Sequence, residues 1–293
     1  MSTSFRLPNV LGLAVLLCAG AAWAADPPDA AATAFSGCSE CHDTVAAAFA
    51  SNPHARTAAK PGDKAICESC HGDGAAHAAE GDATLIKVPE GSAGAGTCMS
   101  CHQGGIDASV SGRGAHSTAR VYCGECHAVH NQDPTAPALL RTRGSEACMS
   151  CHPDAAHQFD RPYAHKLGDN AMTCASCHDP HGGRGEKSVK RTRAGESVCV
   201  GCHTDKRGPF VYPHVNDVAG DCMTCHQPHG SVNEKRLTRS RVDQLCLECH
   251  TGTPGTLGSQ PPSLHDMRSP RYQNCTTCHT AVHGSNSSPL LLK

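Results

Sequence analysis

The sequence predicts a chain that is mostly coil with short α-helices and little β structure, strung as five repeat units into an elongated array. Three observations predict it. Aromatic residues are 3% of the 293 positions, and the only tryptophan, Trp23, lies in the N-terminal leader, so the large side chains that pack an ordinary core are missing. Gly and Pro are plentiful, and joins such as Asp133-Pro-Thr-Ala-Pro137 and Gln260-Pro-Pro262 read as loops. A five-residue pattern, Cys-x-x-Cys-His, occurs ten times.

Each copy is a c-type haem attachment signature. The thiol pairs are Cys38 and Cys41, Cys67 and Cys70, Cys98 and Cys101, Cys123 and Cys126, and Cys148 and Cys151. They continue as Cys174 and Cys177, Cys199 and Cys202, Cys222 and Cys225, Cys246 and Cys249, and Cys275 and Cys278. Two thiols add across the two haem vinyl groups, and the next residue is placed under the iron as proximal ligand. Those residues are His42, His71, His102, His127, His152, His178, His203, His226, His250 and His279. A zinc knuckle, a redox dithiol or a disulfide framework needs no His after every second Cys. Every cysteine except Cys18 falls inside a motif, so none is left for another framework. The fold class is therefore a multihaem cytochrome c carrying ten covalently bound haem c groups.

This count also explains the missing core. After the leader, about 27 residues remain per motif, too few for a conventional globule around each. The haem faces must take the place of the absent Leu, Ile and Phe, and the chain without haem should be largely unfolded.

Residues 1–24 read as a secretory signal peptide, with Arg6 as the leading charge, an apolar stretch from Val10 to Ala22, and a small-x-small site at Ala22-Trp23-Ala24. Cys18 raises the question of lipidation, but Leu17 before it is not small. The expected mature region is 25–293, in the periplasm, where bacterial haem attachment takes place. The formal net charge is −2, unevenly spread: residues 26–146 hold 8 basic and 14 acidic side chains, residues 147–293 hold 16 and 13. The two ends could thus dock different partners. No nucleic-acid partner is expected.

Alternate motifs start 47 to 60 residues apart, which sets dihaem units at about 38–97, 98–147, 148–198, 199–245 and 246–287. Joining segments repeat with them. Arg141-Thr-Arg-Gly-Ser-Glu-Ala-Cys148 resembles Arg191-Thr-Arg-Ala-Gly-Glu-Ser-Val-Cys199, and Leu237 to Cys246 is a looser copy. Thr44 to Ala50 is the clearest helical stretch; no segment shows a clear period of two.

Eleven histidines lie outside the motifs. Ten recur in register, two per unit: His54 and His77, His116 and His130, His165 and His181, His214 and His229, His265 and His283. They are the candidate distal ligands. His157 has no counterpart and is expected to be a surface or hydrogen-bonded residue rather than a ligand. Met99, Met149 and Met223 sit inside motif loops and cannot reach a far face. All-histidine ligation follows, giving six-coordinate low-spin iron with no open site for a substrate. A His three residues after its own motif His, such as His130 after His127, cannot round the porphyrin edge. The expectation is a swap inside each unit: the late His serves the first haem and the middle His the second.

Closely spaced haems at similar potential pass electrons from one to the next, with the protein positioning and tuning them. Ten in line could exceed the roughly 30 Å of a bilayer core. The chain shows no lipid-facing band, so a large outer-membrane β-barrel would be needed as a sleeve.

The chain resembles the periplasmic decahaem cytochromes of the MtrA/DmsE/PioA type over residues 38–287. The resemblance rests on the ten motifs, on the Cys-x-x-Cys-His-x-Pro-His-Gly segments at 174–182 and 222–230, on Lys206-Arg-Gly-Pro209, and on Cys275 to Asn286. It implies bis-histidine ligation, with His181, His229 and His283 distal. It implies a non-enzymatic electron conduit in an outer-membrane porin, between a periplasmic or inner-membrane cytochrome and an outer-surface multihaem cytochrome. A freely diffusing periplasmic shuttle, a multihaem reductase and a filament subunit are the competing readings.

Overall fold

The computed structural model describes residues 37–55, 66–103, 114–130, 136–168, 172–183, 185–214, 221–250, 265 and 269–292. The leader 1–24, Cys18 and the Gln260-Pro-Pro262 join lie outside the described residues.

Short helices and turns dominate, as the composition predicts. Helix α1, Asp43–Phe49, fills the expected stretch. Asp43 opens it, favourably placed at the positive end of the helix dipole, and three alanines propagate it. Helix α2, Ile66–His71, ends on a motif histidine. Helix α3, Ala75–Glu80, stops at Gly81, whose left-handed φ of 69° a side chain would resist. Helix α4, Gly91–Met99, runs into the third motif. Helix α5, Pro153–Gln158, starts on proline, which lacks only an N–H that the first turn leaves unpaired anyway. Helix α6, Val242–Leu247, leads through the ninth motif.

Sheet is limited to two antiparallel staples among the described residues. Strand β1, Tyr163–Ala164, pairs with β3, Gly230–Ser231; strand β2, Tyr212–Pro213, pairs with β4, Gly284–Ser285. Both follow one plan. The residues just before a middle histidine (His165, His214) pair with those just after a late histidine (His229, His283). Each staple therefore ties one repeat to the next.

No apolar core forms among the described residues. Ala136 is the one buried hydrophobic residue among them, while Asn52, Ser231, Asp243 and Ser285 are buried and polar. Ser231 is satisfied locally: its Oγ donates to the Leu237 carbonyl at 2.8 Å and accepts from Asn233 N at 3.0 Å.

Candidate haem-binding sites

The motifs share one backbone geometry. In nine of them the His N–H donates to the carbonyl of the first Cys, four residues back, at 2.9–3.0 Å; the motif at 67–71 lies within α2. A single helical turn places positions i, i+3 and i+4 on one face. Both thiols and the imidazole of a motif thus point the same way.

Each motif histidine faces one of the ten in-register histidines. Ring centroids are 6.1 Å apart for His42 and His77, and 5.8 Å for both His71 with His130 and His102 with His54. They are 6.0 Å for His127 with His181, His152 with His116, and His178 with His229. They are 6.3 Å for His203 with His165, 6.2 Å for His226 with His283, and 6.3 Å for both His250 with His214 and His279 with His265. Two rings in van der Waals contact would lie closer. Two metal–imidazole bonds of about 2.0 Å, plus the half-width of each ring, put centroids roughly 6 Å apart. The spacing fits one iron between each pair. His157 is exposed on α5 and belongs to none of these pairs.

The pairing corrects the swap expected inside each unit. Only the two ends behave that way: His77 faces His42 within the first unit, and His265 faces His279 within the fifth. The other eight cross unit boundaries. Late histidines reach back, as His130 does to His71; middle histidines reach forward, as His116 does to His152. Within each unit the first cysteines of the two motifs interact, Cys38 with Cys67, Cys98 with Cys123, Cys148 with Cys174, Cys199 with Cys222 and Cys246 with Cys275. The two attachment sites of a unit thus adjoin through their thiols, while the facing imidazole of most sites comes from a neighbouring unit.

Burial and the adjoining thiol push the free Cys67 and Cys148 thiols up to about 11, and Cys246 up to about 12. Thiols also approach across unit boundaries: Cys70 near Cys101, Cys126 near Cys151, Cys177 near Cys202, and Cys225 near Cys246. All nine successive motif pairs therefore have thiols near enough to interact electrostatically, in chain order.

Ring orientation is fixed from behind. The Nδ1 atoms of His71, His127, His178, His226 and His279 meet the carbonyls of Lys87, Ala138, Lys187, Lys235 and Leu290 at 2.6–2.9 Å. Nδ1 of His77 meets Asp82 O at 3.0 Å, that of His116 meets Pro180 O at 3.0 Å, and that of His165 meets Pro228 O at 2.6 Å. A carbonyl only accepts, so Nδ1 carries the proton and Nε2 keeps its lone pair for a metal. Burial lowers the imidazole pKa of His54, His130, His181, His229 and His283, favouring the neutral form that can ligate.

Sequence reasoning missed these carbonyls. Three belong to four-residue turns whose two central residues are left-handed: Ala138 and Leu139, Lys187 and Ser188, Lys235 and Arg236, with φ of 51° to 57°. None is glycine, so each turn is mildly strained. Each turn brings its chain back alongside the motif, bridging His127 to Leu140, His178 to Val189 and His226 to Leu237. The repeating joining segments marked the neighbourhood without revealing the turn. The glycine after the late histidine also gains a reason. A Cβ at Gly230 would run into the Gln158 carbonyl, and one at Gly284 into the Phe210 ring.

The chain offers two thiols, one motif imidazole and one facing imidazole ten times over. That donor set fits haem c. Residues 116–157, 165–208 and 214–255 match the family described as a doubled CXXCH motif. Each match begins at a middle histidine and spans a motif with its successor. Over 236 residues the chain is 36% identical to the multihaem cytochrome MtrA of Shewanella baltica (strain OS185), covering 75% of this chain and 68% of that protein. The chain accordingly belongs to the family of MtrA-like multihaem c-type cytochromes, electron-transfer proteins.

Proposed function

We propose that the chain binds ten haem c groups, each held by a motif histidine and by the in-register histidine facing it, and that it conducts electrons through an outer-membrane porin. The observation that carries the reading is the ten-for-ten ring pairing, combined with successive attachment sites that adjoin in chain order. Bound haem supplies one-electron exchange at iron. The chain's own residues do the rest. Cysteines fix each group covalently. The paired imidazoles would hold each iron between them and leave no open position there for a substrate. Backbone carbonyls behind Nδ1 hold the rings in place.

Several features support the porin setting. Among the described residues no helix is long and apolar enough to cross a membrane. A polar chain that carries electrons across a bilayer needs an enclosing barrel with a polar lumen. The leader at 1–24 reads as an export signal, consistent with a periplasmic start. The acidic N-terminal and basic C-terminal halves suit different partners, a periplasmic or inner-membrane cytochrome at one end and an outer-surface multihaem cytochrome at the other.

Purification from outer membranes in detergent tests the conduit. A β-barrel co-eluting in stoichiometric amount is the expected result. Haem protein found only in the periplasmic fraction, monomeric and free of a barrel, would replace the conduit with a soluble shuttle.

A further inference from the structure

Ten of the twenty paired histidines have an Nδ1 hydrogen-bond partner described. Eight partners are backbone carbonyls, which no substitution alters. Two are side-chain amides, and both come from the segment just before a middle histidine. Asn52 Oδ1 meets His54 Nδ1 at 3.0 Å and also accepts the His54 backbone N–H at 2.9 Å. Gln158 Oε1 meets His229 Nδ1 at 3.2 Å, on the last residue of α5, with the Phe159 ring 5.1 Å from the same imidazole.

Asn52 does more than accept. It is 3% exposed, and its Nδ2 donates to the Val129 carbonyl at 2.5 Å. Val129 directly precedes His130. Pro180 and Pro228 hold the same place before His181 and His229, and there the middle histidine bonds the carbonyl directly. In the first repeat Asn52 is inserted into that link. One amide thus anchors the imidazole facing His102 and the loop carrying the imidazole that faces His71.

We infer that Asn52 and Gln158 are positioning residues that set the reduction potentials of two individual haems, those of the third and sixth motifs. This rests on the ligand pairing proposed above. An acceptor at Nδ1–H raises the electron donation of Nε2 and so favours ferric over ferrous iron. An amide does this moderately, a carboxylate more strongly, an aliphatic side chain not at all. Because these two acceptors are side chains, the two haems can be retuned individually while those whose described acceptors are all carbonyls stay fixed.

The test is a spectroelectrochemical titration of the full-length holoprotein carrying Q158L, Q158E or N52L. In Q158L about a tenth of the total haem absorbance change should move to higher potential, with every haem still low-spin. In Q158E the same fraction should move to lower potential. N52L should follow Q158L, in a different haem, so Q158L/N52L moves two. Opposite shifts from Leu and Glu at one position are not expected of a residue that only packs. Shifts of the same sign, or none, overturn the inference. Gln158 is only partly buried, so its variants keep the test open if N52L yields no holoprotein. H229A separates the two layers. One haem turning high-spin there, with Q158L silent, sinks the tuning alone; all haems staying low-spin sinks the pairing itself.

Discussion

His130 lies three residues after one motif histidine, His127, yet its ring faces another, His71, at 5.8 Å with the planes 18° apart. The near neighbour in sequence is thus not the partner in space, and the two assignments predict different spectra. H130A should leave one haem without a distal ligand and produce a single high-spin ferric signal by electron paramagnetic resonance. Combining it with H71M should still disturb one haem, because both changes fall on the same iron. Combining it with H54A should disturb two. Swap within the unit would instead put His130 opposite His102, and would make H130A with H102M the pair that disturbs one.

Glycine at the close approaches yields the second prediction. G230A should displace the strand that follows His229, because the new Cβ meets the Gln158 carbonyl and lies 3.0 Å from the Ala164 side chain. Overpacking of this kind costs about 1–3 kcal/mol. A lowered thermal midpoint should accompany weakened ligation at one haem. Gly124 and Gly201, inside motif loops, would carry a Cβ with nothing within 4 Å of it, and their φ values lie outside the left-handed region. G124A and G201A should leave midpoint and spectrum near wild type, which makes them the controls for thermal melts of G230A.

Most of the fold was legible because it is set by local chemistry repeated ten times. Cys-x-x-Cys-His specifies a helical turn and an attachment site in five residues, and the scarcity of aromatics announces that something other than side chains fills the centre. The ten facing histidines were legible because their register repeats. Their pairing was not. Sequence shows that His116 lies between His102 and His127, but not that its ring faces His152, 36 residues further on and in the next unit. The doubled units matched by the family begin at His116, His165 and His214, and in that phase each of these faces a motif histidine of its own unit, while the late histidines still reach back. Asn52 and Gln158 carry no signal in sequence, since a lone amide has no metal chemistry to betray it. The left-handed turns at Lys187-Ser188 and Lys235-Arg236 were hidden because no glycine marks them.

The absent core gives the third prediction. With Ala136 the one buried apolar residue described, burial of side chains offers little to offset chain entropy. Chain produced without haem attachment should show a coil-like far-ultraviolet circular dichroism spectrum and no cooperative thermal transition. A sigmoidal melt of haem-free chain would mean that the protein folds on its own side chains after all.

The last prediction concerns acid. Arg241 and Asp243 form a two-point ion pair, Nε to Oδ1 at 3.0 Å and Nη2 to Oδ2 at 2.6 Å, at the start of α6. The Asp243 side chain is 6% exposed, and its backbone N–H donates to Gln273 O at 3.3 Å, so the pair ties the ninth motif's helix to the approach to the tenth. Hydrogen bonds from Arg241 hold the Asp243 carboxyl below its usual 3.8. A carboxyl depressed in the folded state stabilises the fold above its unfolded pKa and loses that contribution as pH falls through the folded value. Holoprotein stability should therefore fall from about pH 4 downward, with this pair contributing to the slope. D243N removes the titrating group, so its thermal midpoint should be lower than wild type at pH 7 and should converge with it as pH falls through the lowered Asp243 value. Parallel curves for the two proteins across that range would show that the acid sensitivity resides elsewhere.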